Sequence, residues 1–390
     1  MPVINSIAAM KDEMTEWRRD IHMHPEIAFE EFRTSNLVAE KLAAWGIEVH
    51  RGVGKTGVVG VLRGNGESDR AIGLRADMDA LPMQEENDFA HKSKTDGKFH
   101  GCGHDGHTTM LLGAAKYLAE TRNFDGTVHF IFQPAEEGEG GGRAMVEDGL
   151  FTRFHCDEVY GLHNWPPMAA GEAGIKAGPI MAAADRFKIH VEATGGHAAM
   201  PHTAIDPVIV LTQIVQALQP LISRSKDPME AAVLTVTQIH VGSAYNVIAN
   251  DGWLGGTVRT FNPAVQDMIE AGMQRIAEGV AAMYGAKARL DYERGYPATV
   301  NHEAQTEKAA AAAARVMGPQ AVHRDVEAVT GAEDFSFMLL ERPGAYLWLG
   351  QAGGPSSCMV HNPRYDFNDE ILPVGASWFA TMVETELARS

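Results

Sequence analysis

His100-Gly101-Cys102-Gly103-His104-Asp105-Gly106-His107 packs three imidazoles, a thiol and a carboxylate into eight positions spaced by glycines. The apolar run that follows, Thr108 to Ala115, has helical character, so the octet reads as a loop entering a helix. A loop of that kind can aim several donors at one point, as a metal ion requires. The competing reading is a polar turn with solvated histidines. The residues that could complete a metal site decide between the two.

Working outward, Val58 to Leu62 and Ala71 to Asp77 read as apolar strands before the octet. Thr127 to Phe132 and Glu158 to His163 read as strands after the helix. Amphipathic spacing at Met10, Met14, Trp17 and Ile21 marks a first helix, and a second runs from about Glu30 to Trp45 before Gly46. Near-continuous apolar strands alternating with helices predict an α/β fold: a mostly parallel mixed sheet flanked by helices. The pattern changes near Gly178-Pro179. From Asp185 to Arg294 the order is strand, helix, strand, strand, helix, strand, the signature of a ferredoxin-like α+β domain. The expected organisation is therefore a larger domain from 1–180 and 297–390, interrupted by an inserted domain at 181–296.

At 390 residues and 45% apolar content the chain has material for two cores. A net charge of -18 with no basic stretch to offset it argues against nucleic acid and anionic membrane surfaces as partners. Met1-Pro2-Val3-Ile4-Asn5 lacks the basic and apolar segments of a signal peptide, and no apolar run is long enough to span a bilayer. Cys102, Cys156 and Cys358 are too few and too scattered for a disulfide framework. A cytoplasmic location is expected.

Four further stretches carry donors. Arg75-Ala76-Asp77-Met78-Asp79 and Gln133-Pro134-Ala135-Glu136-Glu137 place carboxylates at strand ends. Gly161-Leu162-His163-Asn164-Trp165-Pro166 puts a histidine where a strand is expected to stop at a proline turn, and His361-Asn362-Pro363 offers one more. Singly, each has an ordinary explanation: solvated glutamates, a core histidine, an Asx turn at Asp79. Jointly Asp77, Asp79, Glu136, Glu137 and His163 fall at the carboxyl ends of expected strands, where open α/β sheets bind ligands.

Together RADMDALP, HGCGHDGH, QPAEEG, GLHNWP, GGHAAMPH, GTVRTFN and GAEDFSF make the chain closely similar to the dinuclear-metal aminoacylase/carboxypeptidase family, in its N-acyl-amino-acid amidohydrolase branch of hippurate and auxin-conjugate hydrolases. The resemblance spans nearly the whole chain, from the RRDIHMHPE segment at Arg18 to Pro363. It implies two divalent metal ions held by Cys102, His104, Glu137, His163 and His361, with Cys102 where most of the wider family has a bridging aspartate. Asp77 stands where the wider family has a ligating histidine, and its part in the first shell is left open. Glu136 is implied as general base and Asp79 as the carboxylate that orients ligands. In the insertion, which resembles a lid and dimerisation domain, His197 is implied to reach the partner subunit's active site, with Asn246 and Arg259 binding substrate. Thiolate and imidazole suit zinc, nickel or cobalt, whereas manganese favours oxygen donors, so the metal stays open. The expected activity is hydrolysis of small-molecule N-acyl-L-amino acids by a homodimer or higher oligomer formed through the lid. A metallo-carboxypeptidase or dipeptidase, an amidase using Cys102 as nucleophile, and a metal-bound receptor without catalysis are the other readings weighed.

Overall fold

A computed structural model describes residues 3–353 and 358–389. The chain divides into two compact units. One comprises Met1–Ile180, Val300–Glu327 and Asp334–Ser390, and the other Met181–Thr299 with Ala328–Glu333. The short segment Ala328–Glu333 belongs with the inserted unit because its backbone carbonyls at Val329 and Gly331 accept from the Ala182 amide. No local pattern in the sequence announces that contact.

The larger unit is built on an eight-stranded sheet in the order Glu48–Val53, Gly57–Arg63, Thr127–Gln133, Ala71–Asp77, Glu158–Ala169, Gly344–Ala352, Ala173–Gly174, Val322–His323. The four strands from Thr127–Gln133 to Gly344–Ala352 are mutually parallel, and the antiparallel pairs lie to either side. Alternation along the strands sorts their residues. Ile72, Leu74, Ala76, Val128, Phe130 and Phe132 share one core with the helices Phe32–Ala44, His104–Thr121, Glu303–Met317 and Leu372–Glu386. Arg75, His129 and Gln133 take the alternate positions, on the other face. The helix Gly141–Glu147 packs on the strand Thr127–Gln133.

Two boundaries differ from expectation, both near the octet. The helix begins at His104 rather than after His107. Gly103, at φ 94°, caps it in a left-handed conformation, and a Cβ there would fall 2.3 Å from Asn164 Oδ1. The strand expected to stop at the prolines runs on from Glu158 to Ala169. Its pairing shifts register between Gly350 and Ala352, and in that irregular stretch Pro166 and Pro167 need no ladder donor.

The inserted unit is a four-stranded antiparallel sheet in the order Ala232–Val241, Asp251–Thr260, Ala183–Glu192, Lys287–Tyr296. The helices Pro207–Pro220 and Pro263–Met283 pack on it and on each other. This is the ferredoxin-like arrangement, with its own core of Phe187, Ile189, Val191, Leu211, Ile214, Leu254, Ile269 and Met273. Each helix starts with proline behind a capping side chain, Asp206 accepting from the Val208 amide and Asn262 from the Ala264 amide.

Burial leaves a titration mark within the sheet of the larger unit. His129, within the strand Thr127–Gln133, is lowered from its ordinary 6.5 to about 4, above all by desolvation. A folded-state pKa below the unfolded one means that stability is complete above pH 6.5 and lost as pH falls toward 4, because the unfolded chain binds the proton first. Between pH 7 and 4.5, urea denaturation of His129→Leu is expected to lose about 2–3 kcal/mol less than the parent. Parallel profiles would show that His129 does not govern this window.

Candidate metal centre

The site gathers where three parallel strands end. Asp77 closes its strand and Asp79 follows two residues later. Gln133 closes the next strand, and Glu136 and Glu137 follow three and four residues later. His163 lies within the third. The octet crosses these ends as its helix starts. His104 and His107 are one turn apart on the same face of that helix, which sends both toward the strand ends. Thr108 Oγ1 donates to the Asp77 carbonyl (2.7 Å) and fixes the helix there.

Cys102 is the shared element. Its Sγ lies within ligand spacing of His104 and His163, and again of Glu137 and His361. The direct separations are 3.4 Å from Cys102 Sγ to His163 Nε2 and 3.1 Å from Glu137 Oε1 to His361 Nε2. His361 has a left-handed backbone (φ 64°), and its amide donates to the Gly101 carbonyl (2.7 Å), tying this distant segment to the octet. Thus the five residues expected as ligands converge, with Glu136 and Asp79 beside them.

Asp79 holds the arrangement. Its Oδ1 accepts the Glu136 amide (2.9 Å) and its Oδ2 the Glu137 amide (3.0 Å). His104 Nδ1 faces the Asp79 carbonyl (2.9 Å) and Oδ1 (3.3 Å), so the proton sits on Nδ1 and Nε2 is presented to the site. Asp77 is tied to two side chains: its Oδ1 is 2.6 Å from His107 Nδ1 and its Oδ2 accepts from Arg75 (2.7 Å), and its carboxylate also lies within ligand spacing of His104 and His107. Asp77 therefore anchors His107, whose Nε2 accepts the Asn164 amide (3.0 Å). The roles of Arg75, His107 and Asn164 escape a reading by motif. The legible signal was the spacing of His104 and His107, once the helix is allowed to begin inside the octet.

The donors fit a divalent cation. His104 Nε2 is buried with no hydrogen-bond partner among the described residues, and buried Glu137 Oε1 is approached by His361 Nε2 at 3.1 Å. Burial opposes an imidazolium at His104, but Asp77, Asp79 and Glu137 outweigh it and push the group up to about 10. The pocket thus recruits positive charge. Burial and the neighbouring His107 keep His163 well below 6.5 and neutral, the state in which imidazole ligates. Burial, then Glu137, Glu136 and Asp77, push the Cys102 thiol up. Among these carboxylates the sulfur loses its proton only to a cation, and it is a poor nucleophile without one.

In the inserted unit, His197 pairs with Val247 in a two-stranded ribbon, and the Ala198 amide donates to the Asn246 carbonyl (3.1 Å). His197 and Asn246 are thus held together and exposed. Arg259, in the strand Asp251–Thr260, donates to Thr257 Oγ1, the Val258 carbonyl (3.0 Å) and the Thr330 carbonyl (3.2 Å).

A thiolate, imidazole and carboxylate cluster at the strand ends of an α/β sheet defines the class: a metal-dependent hydrolase. The chain belongs to peptidase family M20/M25/M40, whose model matches residues 73–385. It is 38% identical to a hippurate hydrolase of Campylobacter jejuni, over 98% of either chain. It is equally identical to an N-acetylcysteine deacetylase of Bacillus subtilis, covering 96% of this chain and 97% of that one. A dinuclear metal-binding M20 peptidase from Bacillus subtilis superposes with a TM-score of 0.85 at 35% identity, covering 97% of this chain and 99% of that one.

Cobalt loading is expected to give near-ultraviolet sulfur-to-metal charge transfer that disappears in Cys102→Ala and persists in Cys358→Ala. A band unaffected by the Cys102 change would remove the thiolate from the metal centre.

Proposed function

We propose that the chain hydrolyses the amide bond of N-acyl-L-amino acids, releasing a carboxylic acid and a free amino acid, with two divalent ions held by Cys102, His104, Glu137, His163 and His361. The observation that carries this reading is the Asp79 carboxylate gripping the amides of both Glu136 and Glu137, which fixes an acid–base group next to a ligand. Bound divalent ions polarise the scissile carbonyl and lower the pKa of water. Glu136 takes the proton from the attacking water as the new C–O bond forms. It then delivers that proton to the nitrogen as the C–N bond breaks, so one carboxylate serves as base and acid. The Glu136 and Glu137 carboxylates both come within ligand spacing of His104, so base and ligand would act on the same point.

We assign Arg259 to the substrate carboxylate, a match for its planar guanidinium, and Asn246 and His197 to the substrate amide. His197 acts in the partner's active site within a homodimer formed through the inserted unit. Two features support that assembly. The strand Ala232–Val241 is an outer strand of its sheet, and Val233, Ile239, Tyr245 and Val247 are exposed on the same unit. Cys102, Cys156 and Cys358 are free thiols, which supports a reducing, cytoplasmic setting. Among the described residues no helix is long and apolar enough to cross a membrane.

A carboxypeptidase would use the same machinery, and the M20 peptidase likeness keeps that reading in view. N-acetyl-, N-benzoyl- and indoleacetyl-amino acids assayed beside dipeptides separate the two by relative kcat/KM. Glu136→Gln is expected to lower kcat ~10²–10⁴-fold while metal content stays at the parental value. Loss of metal together with activity would make Glu136 a ligand instead.

Inactive Glu136→Gln subunits, mixed in excess with inactive His197→Ala subunits, are expected to regain activity, since one site in each hybrid dimer then has both residues intact. Mass-tagged mixing establishes that subunits exchange. Exchanged hybrids that stay inactive would place His197 in cis, and a fully active His197→Ala enzyme would remove it from catalysis.

A further inference from the structure

The loop carrying Glu136 has an unusual backbone. Ala135, immediately before it, is buried with φ 53°, a left-handed conformation that a residue with a Cβ disfavours. Its amide donates to Glu31 Oε1 (3.0 Å). The same oxygen accepts the amide of Phe29 (2.9 Å), also left-handed at φ 61°. A single buried carboxylate oxygen therefore satisfies the amides of two left-handed non-glycine residues more than a hundred positions apart. The other oxygen accepts from Thr56 Oγ1 in the hairpin turn between Glu48–Val53 and Gly57–Arg63.

The neighbouring segment reaches the second catalytic loop as well. The Glu26 carbonyl accepts the Ala80 amide (2.8 Å), and Ile27 bridges Ala80 in parallel fashion, one residue past Asp79. The Glu26 carboxylate is itself fixed by the amides of Arg33 (2.9 Å) and Thr34 (2.8 Å) at the start of the helix Phe32–Ala44. Residues 26–31 thus form a strap joining that helix to the Asp79 loop through main chain and to the Glu136 loop through Glu31.

We propose that Glu31 is a positioning residue for the general base, setting the backbone of the Gln133–Glu137 loop through the Ala135 amide so that Glu136 addresses the water. The proposal rests on the reading of Glu136 as base. Burial, opposed by Thr56 and aided by the charge of Asp79, raises the Glu31 carboxyl to about 7. Either protonation state leaves Oε1 able to accept the two amides, so the constraint is one of reach rather than of charge. A glutamine keeps that oxygen in place, whereas an aspartate withdraws it by a methylene.

The test compares Glu31→Gln, Glu31→Asp and Glu31→Ala as full-length, metal-loaded enzymes. Glu31→Asp and Glu31→Ala are expected to lose kcat ~10–100-fold with KM within about twofold, because a displaced base impairs chemistry more than binding. Glu31→Gln is expected within about threefold of the parent, with metal content unchanged in all three. Amide exchange of a peptide spanning 133–138, followed by mass spectrometry, is expected to accelerate at least ~10-fold in Glu31→Asp and Glu31→Ala but not in Glu31→Gln. The exchange measurement does not depend on turnover, so it decides the role of Glu31 even if the amidohydrolase reading fails. Parental exchange and parental kcat in Glu31→Asp overturn the proposal. So does a Glu31→Gln enzyme as impaired as the alanine variant, because charge and not reach would then be the requirement.

Discussion

The Asp79 carboxylate is the constraint from which the rest of the site follows. Its two oxygens accept consecutive amides, those of Glu136 and Glu137, and its carbonyl and Oδ1 face His104 Nδ1. Two otherwise independent loops, one after the strand Ala71–Asp77 and one after Thr127–Gln133, are thereby locked to each other and to the head of the 104–121 helix. Those strands are parallel neighbours, so their ends arrive side by side and short loops suffice. Without Asp79 the two amides would lose charge-assisted acceptors, and His104 would lose the partner that selects its tautomer.

Concentrating carboxylates at one end of a sheet carries an electrostatic cost that the surrounding protein offsets. Asp77, fully buried, is held ionised despite desolvation by His104, Arg75 and His107. Arg75 in turn donates to Gln133 (2.8 Å) and Asp334 (3.1 Å), so its charge is enclosed by acceptors. Around the other side of the octet, Arg18 faces Asp105, Asp366 and Asp369, and His22 Nδ1 meets Asp105 Oδ2 at 2.8 Å. Asp105 also lies in the first turn of the 104–121 helix, where a negative charge is favourable. Buried pairs of this kind add little net stability, and removing one partner strands the other. Their contribution here is to fix the octet in one geometry.

Much of this was legible in the sequence because strand ends and donor motifs coincide. Asp79, Glu136, Glu137 and His163 all sit where apolar runs break or turn, and the structure brings them together with Cys102, His104 and His361. The β-α-β-β-α-β order of the insertion was legible from the sequence of strand and helix patterns between Asp185 and Arg294. Less was legible where tertiary contacts override local pattern. Nothing in RADMD says that Asp77 is held by Arg75 and His107 while Asp79 takes the amides of Glu136 and Glu137. The helix starts at His104 because Gly103 can adopt φ 94° against Asn164, a partner sixty-one residues away. Pro166 and Pro167 signal a strand end, but the register shift opposite Gly350 absorbs them.

The proposed donors come from four separated stretches: 102–104, 137, 163 and 361. A set so dispersed cannot exist in the unfolded chain, so affinity for metal is available only after the sheet has formed. Asp77, Asp79 and Glu137, crowded at that end of the sheet, push His104 up to about 10 against the effect of burial. A divalent cation held by these residues would supply the positive charge the carboxylates favour and would keep the Cys102 sulfur as thiolate. The same reasoning explains why the strained backbones at Ala135 and His361 are held by protein acceptors, Glu31 and Gly101, and not left for the metal to impose. The protein's own acceptors therefore set the backbone that carries Glu136 and His361, as a preorganised site requires.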